Sequence, residues 1–244
     1  MRIGIMQPYF FPYLGYFQLI AAVDGFVVYD NIKYTKKGWV NRNRILQQGL
    51  PHTISLPLKA ASDALDIRER DVAESFDPRK LINQIAGAYR PAPYFDQVMP
   101  VIESSIVTAE RNLFRLLYAS IRKVCDYLTI STELLPSSTV EADHDLRAQE
   151  RVISICRSLG ASTYINPIGG TALYSDDGFR KAGIELRFLE SLPVRYAQFG
   201  EDFVPSLSII DVMMFIPVER IAEMLSTGYR YLPRSPEPAM ERLS

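Results

Sequence analysis

Residues 33–44 read Lys-Tyr-Thr-Lys-Lys-Gly-Trp-Val-Asn-Arg-Asn-Arg, and their chemistry is that of an anion site. The guanidinium groups of Arg42 and Arg44 offer forked donors to phosphate or carboxylate, while the amides of Asn41 and Asn43 give directional hydrogen bonds. Lys37 adds a point charge, and Trp39, the single tryptophan of the chain, offers a flat wall. The arginines alternate with asparagine and do not form a basic tract, which favours a specific anion over a merely solvated loop.

A second set lies just upstream, in Gln7-Pro8-Tyr9-Phe10-Phe11-Pro12-Tyr13-Leu14-Gly15-Tyr16. An apolar strand ends before it and an apolar helix follows. That layout leaves the first helical N–H groups free for an anion, with the helix dipole in support. Gln7, Tyr9 and Tyr13 are candidate pocket residues, Gly15 lets a ligand approach the backbone, and Tyr16 is a candidate for catalysis with Arg44 and Lys37. The alternative is that these aromatics simply pack between sheet and helices. A third set, Asn166-Pro167-Ile168-Gly169-Gly170-Thr171, also follows a strand, and Gly169 with Gly170 suits either a phosphate or sugar contact or a tight turn.

Other polar groups read as structural. Ser208 is placed as an N-cap, with Asp211 at the capping-box position. His52 and His144 are the only histidines, so a histidine-based zinc site is not expected and no metal is assigned. No G-x-S-x-G elbow or Walker loop is present.

These residues need a scaffold, and the pattern for it is α/β. Residues 2–6, 26–29, 130–134, 163–166 and 184–189 read as strands, the first buried on both faces. Residues 17–23, 146–159, 176–182, 208–215 and 218–225 read as helices. Residues 31–44 read as a loop, and residues 53–58 and 66–72 as two strands paired through a turn in 59–64. Residues 77–129 turn helical, opened by the Asp77-Pro78 cap. The expected architecture is a Rossmann-like parallel sheet flanked by helices, with a mainly helical subdomain. Residues 1–75 form an N-terminal βαβ half carrying both loops, 76–129 the helical segment, 130–235 a C-terminal α/β half and 236–244 a tail.

At 244 residues, 48% of them hydrophobic and 23% charged, the chain has ordinary globular composition. A formal net charge of −1 argues against nucleic-acid binding by bulk charge and leaves room for a local basic site. Cys125 and Cys156 fall in apolar helical patterns and read as buried free thiols. Without a signal-peptide pattern or a stretch of ~18 apolar residues to span a bilayer, a cytoplasmic protein is expected. Exposed aromatics leave room for a homodimer.

Several blocks resemble the WbqC-like family, bacterial proteins often encoded among O-antigen and other surface-polysaccharide genes. They are IMQPYFFPYLGYFQLIAAVDGFVVYD, KKGWVNRNRI, QERVISICRSLGASTYINPIGG, AGIELRFLE and FVPSLSIIDVMMF. The Gly169-Gly170 block departs from the Ser-Gly-Pro form more usual in that family. More loosely, the strand, loop, x-x-Gly-x and helix order resembles the nucleotidylyltransferase and pantothenate-synthetase superfamily, which holds ATP phosphates with His-x-Gly-His. Tyr13 and Tyr16 then stand where the histidines would. A neutral phenol donates a hydrogen bond but supplies no positive charge, so Lys36, Lys37, Arg42 or Arg44 would have to provide it.

Three readings follow. The first is a transferase of surface-polysaccharide or sugar-nucleotide biosynthesis, moving a group onto an amino or hydroxyl acceptor. Its small-molecule substrate bears a phosphate, and a nucleotide or nucleotide-activated donor is the expected cofactor. The second is an ATP-dependent ligase or nucleotidyltransferase. The third is a non-catalytic binding or scaffold protein, favoured by the missing histidines and opposed by the polar density of residues 33–44.

Overall fold

The structure, a computed structural model, describes residues 1–232. The tail assigned to 236–244, and residues 233–235 of the C-terminal half, lie outside the described residues. A six-stranded sheet has the order β5-β2-β1-β6-β7-β8. Its strands are β1 (Arg2–Met6), β2 (Gly25–Val28), β5 (Glu133–Pro136), β6 (Thr163–Pro167), β7 (Glu185–Ser191) and β8 (Tyr229–Leu232). All pairings are parallel except β7 with β8. The chain leaves β1 towards β2 on one side and returns to β6 on the other. The carboxyl end of β1 therefore flanks the topological switch point, where open α/β sheets bind ligands.

Strand periodicity divides the core in two. Phe26 and Val28 face one layer, while Val27 and Tyr29 face the other, as a period of two residues requires. The larger layer is covered by α1 (Leu14–Ala21), α2 (Pro78–Tyr89), α3 (Phe95–Ile106), α4 (Leu113–Tyr127), α7 (Ile209–Phe215) and α8 (Val218–Thr227). The smaller is covered by α5 (Ala148–Ser158) and α6 (Asp176–Lys181). Leu81, Ile85 and Tyr89 of the helical segment share one continuous core with Phe10, Tyr16 and Phe26. The Asp77 cap forms as expected, its carboxylate accepting from the N–H groups of Arg79 and Lys80.

The expected pairing of residues 53–58 with 66–72 is not the one formed. Instead β3 (Arg42–Gln47) pairs antiparallel with β4 (Leu50–Ser55) across a two-residue turn. Between the two expected strands only the isolated bridge of Leu58 with Val72 remains, and residues 67–69 form a 3-10 turn. Arg42, Asn43 and Arg44 thus lie on a strand, where alternation sends the arginines to one face and Asn43 to the other. β8 goes unread in the sequence because four residues at a sheet edge carry little periodicity.

Candidate functional site

The loop after β1 is held from beneath by its own aromatics. Phe10 and Phe11 are fully buried, and Phe11 takes a left-handed backbone with φ 43°. Asn43 fixes this turn: its Nδ2 donates to the carbonyls of Phe10 at 3.0 Å and Phe11 at 2.7 Å. Ser208 Oγ donates to the same Phe11 carbonyl at 2.7 Å. Backbone bonds from Phe10 N–H to the Trp39 carbonyl, Ser208 N–H to Arg44 and Ile209 N–H to Pro12 complete the seam. Three segments distant in sequence are thereby locked together, and Tyr9 and Tyr13 are displayed above them.

Over this seam lies a cavity of about 230 Å³ lined by Tyr9, Tyr13, Trp39, Asn43, Arg44 and Ser206. The Arg44 guanidinium lies 5.2 Å from the Trp39 ring centroid and donates through Nη2 to the Ser206 carbonyl at 3.1 Å. Its Nε is buried and has no partner. Burial raises the phenol pKa values of Tyr9 and Tyr13, the latter helped by its neighbour Tyr9, so both stay neutral hydrogen-bond donors. Ser206 itself is held at φ 58°, an uncommon backbone state for a non-glycine residue and one that tends to occur at functional sites.

Tyr13 and Ser206 also wall a second cavity of about 320 Å³ that extends past Gly15 and Gln18 to residues 191–196 and Phe203. The start of α1 opens here. Tyr13 is its N-cap residue and makes no side-chain cap, so the helix's first N–H groups have no side-chain partner. Gly15 borders this cavity and has a packing role as well. A Cβ there would sit 2.4 Å from Ser191 Oγ and 2.7 Å from Tyr13 Cε2, so the glycine lets α1 abut the end of β7.

The structure brings Tyr9, Tyr13, Trp39, Asn43 and Arg44 to one wall and places the other expected site residues elsewhere. Tyr16 is fully buried, its hydroxyl donating to the Gln7 carbonyl at 3.1 Å, and full burial raises its pKa well above the ordinary value. It braces the loop and does not face the cavity. Asn41 accepts from the Tyr34 hydroxyl and donates to the Leu56 carbonyl. Arg42 donates to the carbonyls of Gly38 and Lys37 while lying 5.7 Å from the Trp39 centroid, so it closes the loop, and Arg44 is the arginine in the cavity wall. Lys37 is exposed and is not among the residues of either cavity wall. Gly170 packs on the Asn166 side chain, where a Cβ would lie 1.9 Å from Nδ2, whereas Gly169 faces open space. Neither lines these cavities.

Sequence reading missed Ser206, Gln18 and Arg195, since a lone Ser, Gln or Arg in a loop or apolar helix carries no pattern. Asp211 does not close a capping box. Its carboxylate accepts from the hydroxyls of Tyr89 and Tyr196 and from Gln198. His144 is half-buried, with Nε2 on the Val140 carbonyl and Nδ1 facing Asn31. Among the described residues no group of three or more His, Cys, Asp or Glu side chains could hold a metal ion, and no helix is long and apolar enough to cross a membrane.

The fold and seam define a Rossmann-like α/β protein with a loop-built groove beside the carboxyl end of its first strand. The pattern described as the WbqC-like protein family matches residues 7–223, and the chain belongs to that family. It is 29% identical over 223 residues to an uncharacterised protein of Mycobacterium tuberculosis, Rv1507c, covering 89% of this chain and 95% of that one. No solved structure matches the chain significantly.

Proposed function

We propose that the groove binds a phosphate-bearing small molecule and that the protein transfers a group from it to an amino or hydroxyl acceptor. The observation that carries this reading is the Arg44 guanidinium, held against the Trp39 ring and the Ser206 carbonyl in the wall of a cavity rimmed by Tyr9 and Tyr13. A cation and neutral phenols around one small volume suit an anionic leaving group. Charge that builds on a departing phosphate oxygen would meet donors already in place. A setting in surface-polysaccharide synthesis comes from the family resemblance, and a nucleotide-activated donor is the natural class of ligand.

The nucleotidyltransferase reading draws less support, because of the pair Tyr13 and Tyr16 only Tyr13 borders the cavities. Calorimetry with pyrophosphate and nucleoside-diphosphate sugars tests the proposal. Arg44→Ala should weaken binding tenfold or more, equivalent to about 1.4 kcal/mol, and Arg44→Lys should restore only part because the fork is lost. Equal affinity in wild type and Arg44→Ala would refute it.

A further inference from the structure

A third cavity, of about 400 Å³, shares residues 192–196 with the cavity beside the start of α1. Its remaining wall comes from the end of α7 and from α8, through Phe215, Arg220 and Met224. The strap joining β7 to α7, residues 192–208, has neither helix nor strand. Connections longer than about 12–15 residues are usually functional when they are ordered, and this one is tied down at several points. Leu192 N–H donates to the Gly228 carbonyl at 2.9 Å. The Tyr196 hydroxyl and Gln198 Nε2 donate to the Asp211 carboxylate at 2.7 and 2.6 Å. Arg195 stands between those anchors, so its backbone is fixed.

The other arginines nearby are paired: Arg187 with Glu185, Arg230 with Glu190 and Arg220 with Glu223. Arg195 is exposed and has no ion-pair or hydrogen-bond partner among the described residues. With Arg195 and Arg220 in the wall and Glu223 beside Arg220, the side chains leave one net positive charge there. Most of the remaining wall is hydrocarbon, from Leu192, Val194, Phe215 and Met224, and Leu192 keeps 38% of its surface exposed. The hydroxyl of Tyr196 is already committed to Asp211. An accessible guanidinium next to accessible apolar surface is complementary to a molecule with one anionic group and a hydrocarbon body.

We propose that this cavity binds a small organic acid, its carboxylate held by the Arg195 guanidinium and its short apolar body laid against Leu192, Val194 and Phe215. A carboxylate matches the forked donors of arginine. Its single charge also matches the net charge of the wall, whereas a phosphate monoester, close to dianionic at neutral pH, would meet the Glu223 carboxylate with excess charge. The volume falls within the ~300–1,000 Å³ usual for small-molecule pockets. This cavity shares no lining residue with the one at Arg44, and the acid site does not rest on the transfer reading.

Saturation-transfer NMR and calorimetry on the full chain test it with hexanoate, hexan-1-ol, hexyl phosphate and acetate. Hexanoate should bind. Acetate, which lacks the body, hexanol, which lacks the charge, and hexyl phosphate should each bind roughly tenfold more weakly or not at all. Arg195→Ala and Arg220→Ala should each weaken hexanoate by roughly tenfold. Both side chains are exposed, so the fold is expected to survive their loss. Phe203 lines only the adjacent cavity, and Phe203→Ala should leave hexanoate affinity unchanged. The site is overturned if hexanoate does not bind wild type, if hexanol binds as tightly, or if both arginine variants bind hexanoate normally. Tighter binding of hexyl phosphate overturns the carboxylate. A loss in Phe203→Ala with none in Arg220→Ala puts the acid in the adjacent cavity and overturns the assignment as well.

Discussion

Asn43 donates its side-chain amide to the carbonyl of Phe11, a residue held at φ 43°, and so a strand of the hairpin sets the shape of the loop that carries Tyr9 and Tyr13. The same nitrogen also reaches the Phe10 carbonyl, while Oδ1 accepts from the Arg44 N–H. Asn43→Ala leaves Phe10 without this donor inside the core and is expected to cost about 1–3 kcal/mol. Asn43→Asp should cost more, because a carboxylate oxygen would face two carbonyl oxygens. Urea unfolding of both variants checks this. An alanine variant as stable as wild type would show that the clamp does not hold the loop.

Asp211 gives the structure a pH dependence with a definite sign. Burial raises its pKa above the ordinary 3.8, partly opposed by hydrogen bonds from Tyr196, Gln198 and Tyr89. A raised native pKa means that the folded state binds the proton more tightly than the unfolded chain does. Its stabilising increment is complete below the unfolded value of 3.8 and is lost as pH rises through the native pKa. Asp211→Asn removes the titration. The stability of wild type minus that of Asp211→Asn should therefore fall as pH rises from about 4 to 7. Unfolding midpoints measured across that range decide it, and a difference that stays flat or rises contradicts the assignment.

The elements that read clearly were those with a long or doubly buried pattern. Residues 3–6 are a continuous apolar run, Tyr164 and Ile165 are buried, and the Asp77-Pro78 cap announces α2. Residues 42–47 did not read as a strand because Arg42, Asn43 and Arg44 give no hydrophobic alternation. They are a strand through the backbone ladder with β4, while the Asn43 amide anchors that strand to the Phe10 and Phe11 carbonyls. Of the cluster of aromatic, Arg and Asn residues, Tyr9, Tyr13, Trp39, Asn43 and Arg44 line the Arg44 cavity. The cluster's division of labour was not legible. Tyr13 and Tyr16 are three residues apart, yet one borders water and the other is sealed against Phe17 and Phe26. Arg42 and Arg44 are equivalent in sequence, and only the loop carbonyls of Gly38 and Lys37 separate them.

Cys125 and Cys156 are both buried, and burial pushes each thiol up to about 12. Thiolate is the reactive form, so at neutral pH neither should be nucleophilic or readily oxidised. A thiol-labelling reagent should modify neither in the native protein within the time that it modifies both in urea. Fast labelling of either in native buffer would place that cysteine on an accessible surface.

The turn joining β3 to β4 is Gln48-Gly49, with φ of 52° and 75°. Positive φ at both central residues is the type I′ pattern, which matches the strand twist and prefers Asn-Gly. Gln48 has no short polar side chain to support the left-handed state, so part of the hairpin's stability is spent on strain. Gln48→Asn should recover about 0.5–1 kcal/mol, or roughly 1–4 °C in Tm for a domain of this size. Gly49→Ala makes the opposite control. A Cβ there meets nothing within 4 Å, so its cost of about 1–2 kcal/mol would be purely conformational. Neither residue lines the Arg44 cavity, and calorimetric affinity for pyrophosphate should not change in either variant. If Gln48→Asn melts no higher than wild type while Gly49→Ala melts lower, the turn is already relaxed at Gln48. The hairpin would then owe its register to the Asn43 clamp and not to its turn.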